Sequence, residues 1–261
     1  MMRKIQMVCV LLLFPLLTWA QTKVNASEII EKMNRGEAVS YKNAEIVGNL
    51  DMTKLQNMKR KSGKQDTEAY ISTVTAPVTF VNCTFRGDVL AYYSPDNGAS
   101  GMFNNTNRVY NTHFEKDVLF ENCMFAQKSA FKYAGFKGKA SFQGSRFTEE
   151  ALFKYTDFSK DVNFSNVRFE EAANFKYVDF PDKVSFAGAT FAEEANFKYT
   201  KFLEGADFQE ARFDGTANFK YAKISDSFNL RGTDFRGGDD FKYTRLNDKS
   251  VSLSGLQSRY K

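Results

Sequence analysis

Cysteine is scarce. It occurs three times, at Cys9, Cys83 and Cys123. Cys9 lies inside an apolar run, and the two that remain cannot staple a chain of this length into a disulfide scaffold. Histidine occurs once, at His113, which leaves no histidine pair for a metal or a catalytic relay. No phosphate-cradling glycine loop, zinc-ligand spacing or nucleophile motif occurs. These absences point away from an enzyme and from any cofactor. Proline is found four times and tryptophan once, whereas phenylalanine is found 27 times. That bias asks for a pattern.

The segment 1–20 reads as an export signal. Arg3 and Lys4 open it, Met7 to Leu17 form its apolar centre, and Thr18-Trp19-Ala20 places small residues where a cut before Gln21 requires them. The apolar stretch is short for a membrane span, and no second stretch near that length occurs. The expectation is an exported protein, periplasmic or secreted, with no transmembrane segment once the signal is removed. The net charge of +5 falls by two with Arg3 and Lys4, a balance too mild to argue for nucleic acid.

The pattern is an internal repeat. Phe-Lys-Tyr begins at Phe131, Phe153, Phe175, Phe197, Phe219 and Phe241, a strict 22-residue interval. From Phe114 to Leu246 an apolar residue recurs at alternating steps of six and five, and all but three of those positions are Phe. Two residues before each stands a small or β-branched residue, such as Ala151, Thr156, Val162 and Val167. Residues i and i−2 share one face of a strand, whereas a helix would place them far apart around its axis. Each short strand therefore aims one small and one large apolar side chain the same way.

Runs such as Ala173-Asn174-Phe175-Lys176-Tyr177 and Ala206-Asp207-Phe208-Gln209-Glu210 resemble the pentapeptide-repeat family. Its motif is a small residue, Asp or Asn, Leu or Phe, then two polar residues. The resemblance implies an all-β fold, a right-handed quadrilateral β-helix with one pentapeptide per side. The family's usual coil is four pentapeptides and nothing more. A 22-residue coil requires an extra residue on two of the four sides. Some members mimic DNA and bind DNA gyrase, but an export signal and a lysine-rich face suit neither that role nor nucleic acid.

Four segments follow. Residues 1–20 are the signal. Residues 21–43 form an N-terminal cap with a short helix over 26–35, begun by a capping box of Asn25 and Glu28 and stopped at Gly36. Residues 44–246 form the β-helix, with insertions near 56–77 and 92–109. Residues 247–261 form a C-terminal cap in which Val251, Leu253 and Leu256 seal the core. A solenoid with exposed ends could also oligomerise by end-to-end stacking.

Lys132, Tyr133, Lys154, Tyr155, Lys176, Tyr177, Lys198, Tyr199, Lys220, Tyr221, Lys242 and Tyr243 fall in register, Lys outward and Tyr at the corner. This strip is the candidate binding face, for an unidentified protein or for a cell-surface glycan or anionic polymer. The competing reading is repeat duplication, with the columns of Glu149-Glu150, Glu170-Glu171 and Glu193-Glu194 balancing the lysines as a solvated edge. Cys83 and Cys123 occupy equivalent sites in successive coils. They are either small core residues or a disulfide pair. His113 is expected on the outside without a chemical role.

Overall fold

The computed structural model describes residues 21–61, 67–95 and 107–260. The signal reading of residues 1–20 and part of each insertion lie outside the described residues. The chain winds as a four-faced, right-handed solenoid. In one coil, face I holds Ala140–Ser141, face II Arg146–Phe147, face III Ala151–Leu152 and face IV Asp157–Phe158. Each pairs in parallel with its counterpart one repeat on, as in Val162↔Val184 and Phe169↔Phe191. Parallel strands cover the whole length of all four faces. The antiparallel pairs are the two inserted hairpins and the C-terminal turn-back.

The alternation of six and five is a difference between corners. Faces III and IV, and faces I and II, are joined by two-residue corners such as Lys132-Tyr133 and Gln143-Gly144. The other two corners hold three residues, such as Lys137-Gly138-Lys139 and Thr148-Glu149-Glu150. The extra residue expected on two sides thus sits at alternate corners and leaves the strand pairing undisturbed. Asn and Asp two residues before a tight corner pin it. Asn174 Oδ1 accepts from the Lys176 N–H at 3.3 Å, and Asp207 Oδ1 from the Gln209 N–H at 3.0 Å.

Phe142, Phe164 and Phe186 are fully buried and stack at 5.0 and 5.1 Å. Phe153 and Phe175, from the opposite face, meet Phe164 edge-on, each at 5.2 Å. Offset and edge-to-face rings are the favoured aromatic geometries, so the core interlocks. Where the small column carries a threonine, the preceding coil satisfies its hydroxyl, whereas the buried Ser129 Oγ has no partner among the described residues. Thr156, Thr200 and Thr244 donate to the carbonyls of Phe131, Phe175 and Phe219 at 2.8–2.9 Å.

The N-terminal helix, α1, spans Ala26–Asn34, with Ile29 and Met33 buried. The capping box takes another form. The Asn25 side chain makes no bond to the helix backbone, and its Nδ2 donates instead to Glu28 Oε1 at 3.0 Å. Stacking begins earlier than expected, because Thr22–Asn25 already pairs with Ala44–Val47 and aims Val24 inward. No phenylalanine marks that strand. A second helix, α2, spans Leu253–Gln257 and buries Leu256. Both helices therefore pack against the ends of the aromatic core. Among the described residues no helix is long and apolar enough to cross a membrane.

Cys83 and Cys123 are free and buried. Cys83 Sγ lies 3.4 Å from the Val81 carbonyl, and Cys123 Sγ 3.4 Å from that of Phe80. The disulfide reading gives way to that of small core residues. The Cys123 thiol is raised, first by its hydrogen bond with Cys83 and then by burial, so it stays protonated.

Candidate functional site

Each Phe-Lys-Tyr closes the corner from face III to face IV. The Ala134 N–H donates to the Phe131 carbonyl at 2.9 Å across Lys132-Tyr133, and Tyr133 has φ +58°. This is a turn of type II, whose third residue must be left-handed and is usually Gly or Asn. The same left-handed φ recurs at Tyr155, Tyr177, Tyr199, Tyr221 and Tyr243, between +59° and +64°. The corner from face I to face II uses Asn122, Gly144, Asn166, Gly188, Glu210 and Gly232. There the sequence obeys backbone preference in all but one coil. At the tyrosine corner it departs from that preference six times, at about 1–2 kcal/mol per residue.

Stacking offsets that strain. From Tyr133 to Tyr221 each Tyr N–H donates to the Lys carbonyl of the next coil, as from Tyr177 to Lys198 at 3.1 Å. This bond holds successive corners in register. The rings stack face to face from Tyr133 to Tyr243 at 4.7–5.0 Å. Each contact contributes about 0.5–1.5 kcal/mol, so a ring with two neighbours roughly balances its own turn. The ring edges remain exposed, at 36–37% for Tyr155, Tyr177 and Tyr221.

Each of the six ammonium groups lies 4.9–5.7 Å from the centre of the adjoining tyrosine ring. Among the described residues none of them joins a carboxylate in an ion pair. The expected balance from the glutamate columns is not realised. Glu170 serves Arg146 and Arg168 at 2.7 and 3.1 Å, and Glu194 accepts from Asn218. The lysine column is therefore uncompensated, at about 1 kcal/mol of repulsion per adjacent pair in water. Lys154 feels it: its pKa is lowered by burial first, then by Lys132 and Lys176.

Tyr133 and Tyr155 are raised, by burial first and neighbouring phenols next. Both phenols should therefore ionise above the ordinary value of about 10. A raised folded-state pKa stabilises below the unfolded value and loses that contribution as pH climbs through the folded one. Lys154, being lowered, acts in the opposite sense. An alkaline titration followed by phenolate absorbance isolates the tyrosines. It should show a late-ionising fraction that the Tyr155→Phe variant reduces.

A groove of 500 Å³ runs beside the ladder, walled by Tyr155, Tyr177, Tyr199 and Tyr221 and by the Asp157, Asp179, Lys201 and Lys223 row of face IV. His113 heads that row in sequence order, half-buried over Gly135. Among the described residues its Nδ1 has no partner, and its pKa is lowered mainly by burial. Among the described residues no cluster could hold a metal ion.

Both insertions leave from this same corner. Strand registers align Lys54 with Tyr93 and Tyr93 with Tyr133. The strands Thr67–Val74 and Asn107–Phe114 pair over their full length; their C-terminal ends belong to the solenoid, where Ser72, Val74, Thr112 and Phe114 are buried. The remainder projects from the corner as a ribbon, not as plain loops. There Tyr70 stacks on Tyr110 at 5.0 Å, and Lys54 Nζ lies 5.1 Å from the Tyr93 ring centre. Tyr92 caps the ladder edge-on against Tyr133 at 5.9 Å, and its hydroxyl accepts from Lys132 at 3.2 Å. The sequence reading missed these residues. Its available signal was the tyrosine column itself, which continues upward into Tyr93 once the insertions are set aside.

The fold and this edge together define a repeat scaffold: a quadrilateral solenoid with one ordered aromatic, cationic corner. The family model described as pentapeptide repeats (9 copies) matches residues 153–201 and 197–245, and the chain is a pentapeptide-repeat protein. No curated protein matches its sequence.

Proposed function

We propose that this protein is an exported, non-catalytic docking scaffold whose Lys/Tyr edge holds a polyanion of the cell surface. The observation that carries the reading is the uncompensated lysine column on a corner where tyrosine is kept against backbone preference. A surface needed only for solubility would mix its charges. The basic, apolar and small-residue order of residues 1–20 supports export. Stacking also discriminates between ligands. Inner rings of the ladder have both faces covered, so a neutral sugar cannot lie on them. What they present is a row of phenol edges beside a row of ammonium groups.

The test uses residues 21–261 and two probes, polygalacturonate and heparin. Binding should weaken with added salt. Changing all six lysines to glutamine should weaken it at least about tenfold, roughly 1.4 kcal/mol, with an unaltered circular dichroism spectrum. Equal binding by the variant, or no binding to either probe at low salt, sinks the proposal.

A further inference from the structure

The tyrosine ladder ends abruptly. Tyr221 covers one face of Tyr243 at 4.8 Å, and no coil follows to cover the other. After Leu246 the chain doubles back, pairing Lys249–Ser250 antiparallel to Arg245–Leu246, and then enters α2. Tyr243 is accordingly 53% exposed, against 36–37% for Tyr155, Tyr177 and Tyr221. At the other end Tyr92 closes the ladder. Beside Tyr243 lies a recess of 570 Å³ lined by Asp239, Asp240, Lys242, Ser250 and Ser252 among others. Among the described residues Asp239 makes no side-chain hydrogen bond or ion pair, and Asp240 spends one oxygen on the Lys242 N–H at 2.9 Å.

We infer that this recess is a binding site for one neutral pyranose ring, the end of a glycan chain. The sugar would take the place of the next rung. Its C–H face would lie on Tyr243, and its hydroxyls would donate to Asp239 and Asp240. An aromatic platform beside a few polar groups is the usual make-up of a small-ligand site, and the recess is within the usual size. The chemistry selects a neutral sugar, because an acidic one would meet two carboxylates against the single Lys242 ammonium. The site stands apart from polyanion docking, which uses charge along the edge, whereas this one uses a ring face that only the last rung exposes.

The test is saturation-transfer NMR on residues 21–261 with cellotetraose, chitotetraose and maltotetraose. At least one should bind. Tyr243→Gly suits the left-handed φ of +64° and so keeps the turn while removing the platform; affinity should fall at least tenfold. Tyr177→Gly, inside the ladder, should leave affinity unchanged, and Asp239→Asn with Asp240→Asn should lower it severalfold. A variant with Lys132, Lys154, Lys176, Lys198 and Lys220 changed to Gln should still bind the sugar, which separates this site from the edge. The inference is overturned if no oligosaccharide binds, if Tyr243→Gly binds normally, or if sedimentation shows Tyr243 buried between two copies.

Discussion

Phe164→Ala is expected to destabilise the solenoid by about 3–5 kcal/mol. Phe164 is fully buried and touches rings on both neighbouring coils and across the core, with Phe142, Phe153, Phe175 and Phe186 all within 5.2 Å. Truncation leaves a cavity that cannot collapse. The rungs around it are fixed by backbone bonds on all four faces, such as Phe164 N–H to the Ser185 carbonyl at 2.7 Å. The loss of dispersion contacts then adds to the transfer term. Phe235, at the C-terminal end and only partly buried, should cost less than half as much when changed to Ala. Urea denaturation of the two variants checks both values. Because a solenoid's stability is close to a sum of neighbour terms, the Phe164 variant should also show a broader transition as the two halves uncouple. A cost under about 1 kcal/mol would contradict an interlocked core.

The solenoid was legible because its determinants are local and periodic. Alternation of small residue and Phe along a strand, repeated with a 22-residue period, specifies which side chains go inward whatever the corner geometry. The alternation of six and five was visible too, but not its meaning, since a two-residue and a three-residue corner differ only in backbone torsion. Tyr177 shows the limit most clearly. Tyrosine is a poor predictor of a left-handed turn, so the sequence alone gives no warning of φ +60°. The strand Thr22–Asn25 was hidden for another reason: Val24 fills its inward position without the phenylalanine that marks later coils. The lysine column is legible in the sequence as residues in register, but its lack of ion-pair partners is not. Glu170 falls in the same column in either reading, and only side-chain direction hands it to Arg146 and Arg168 instead. The ribbon joining the ladder depends on two insertions meeting at one corner, a convergence that spacing alone left open.

Excision of one whole coil, residues 164–185, should leave a folded protein, whereas excision of 164–184 should not give a single cooperative unit. In the first variant Asn163 is joined to Phe186, and the sequence around the junction matches that at Ser185-Phe186. Val162 and Val184 are partners in the native register, so every inward column closes up by one rung. The expected loss is one neighbour term, seen as a modest shift in the urea midpoint. In the second variant one residue too many enters the strand at the junction. Phe186 is driven to the outer face, and because side chains alternate with a period of two, the small residue and the Phe of that strand no longer face the same way. A corner can absorb such an insertion, as the two ribbons at the tyrosine corner show, but a two-residue strand cannot. The midpoint and sharpness of the transition should therefore separate two variants that differ by a single residue. Matching midpoints would mean that the aromatic columns do not set the register. The first variant also removes Lys176 and Tyr177, leaving Tyr155 to stack directly on Tyr199. If polyanion affinity depends on the number of rungs, it should fall by a small, measurable factor in that protein while the fold persists, because the edge and the core are built by the same repeating unit.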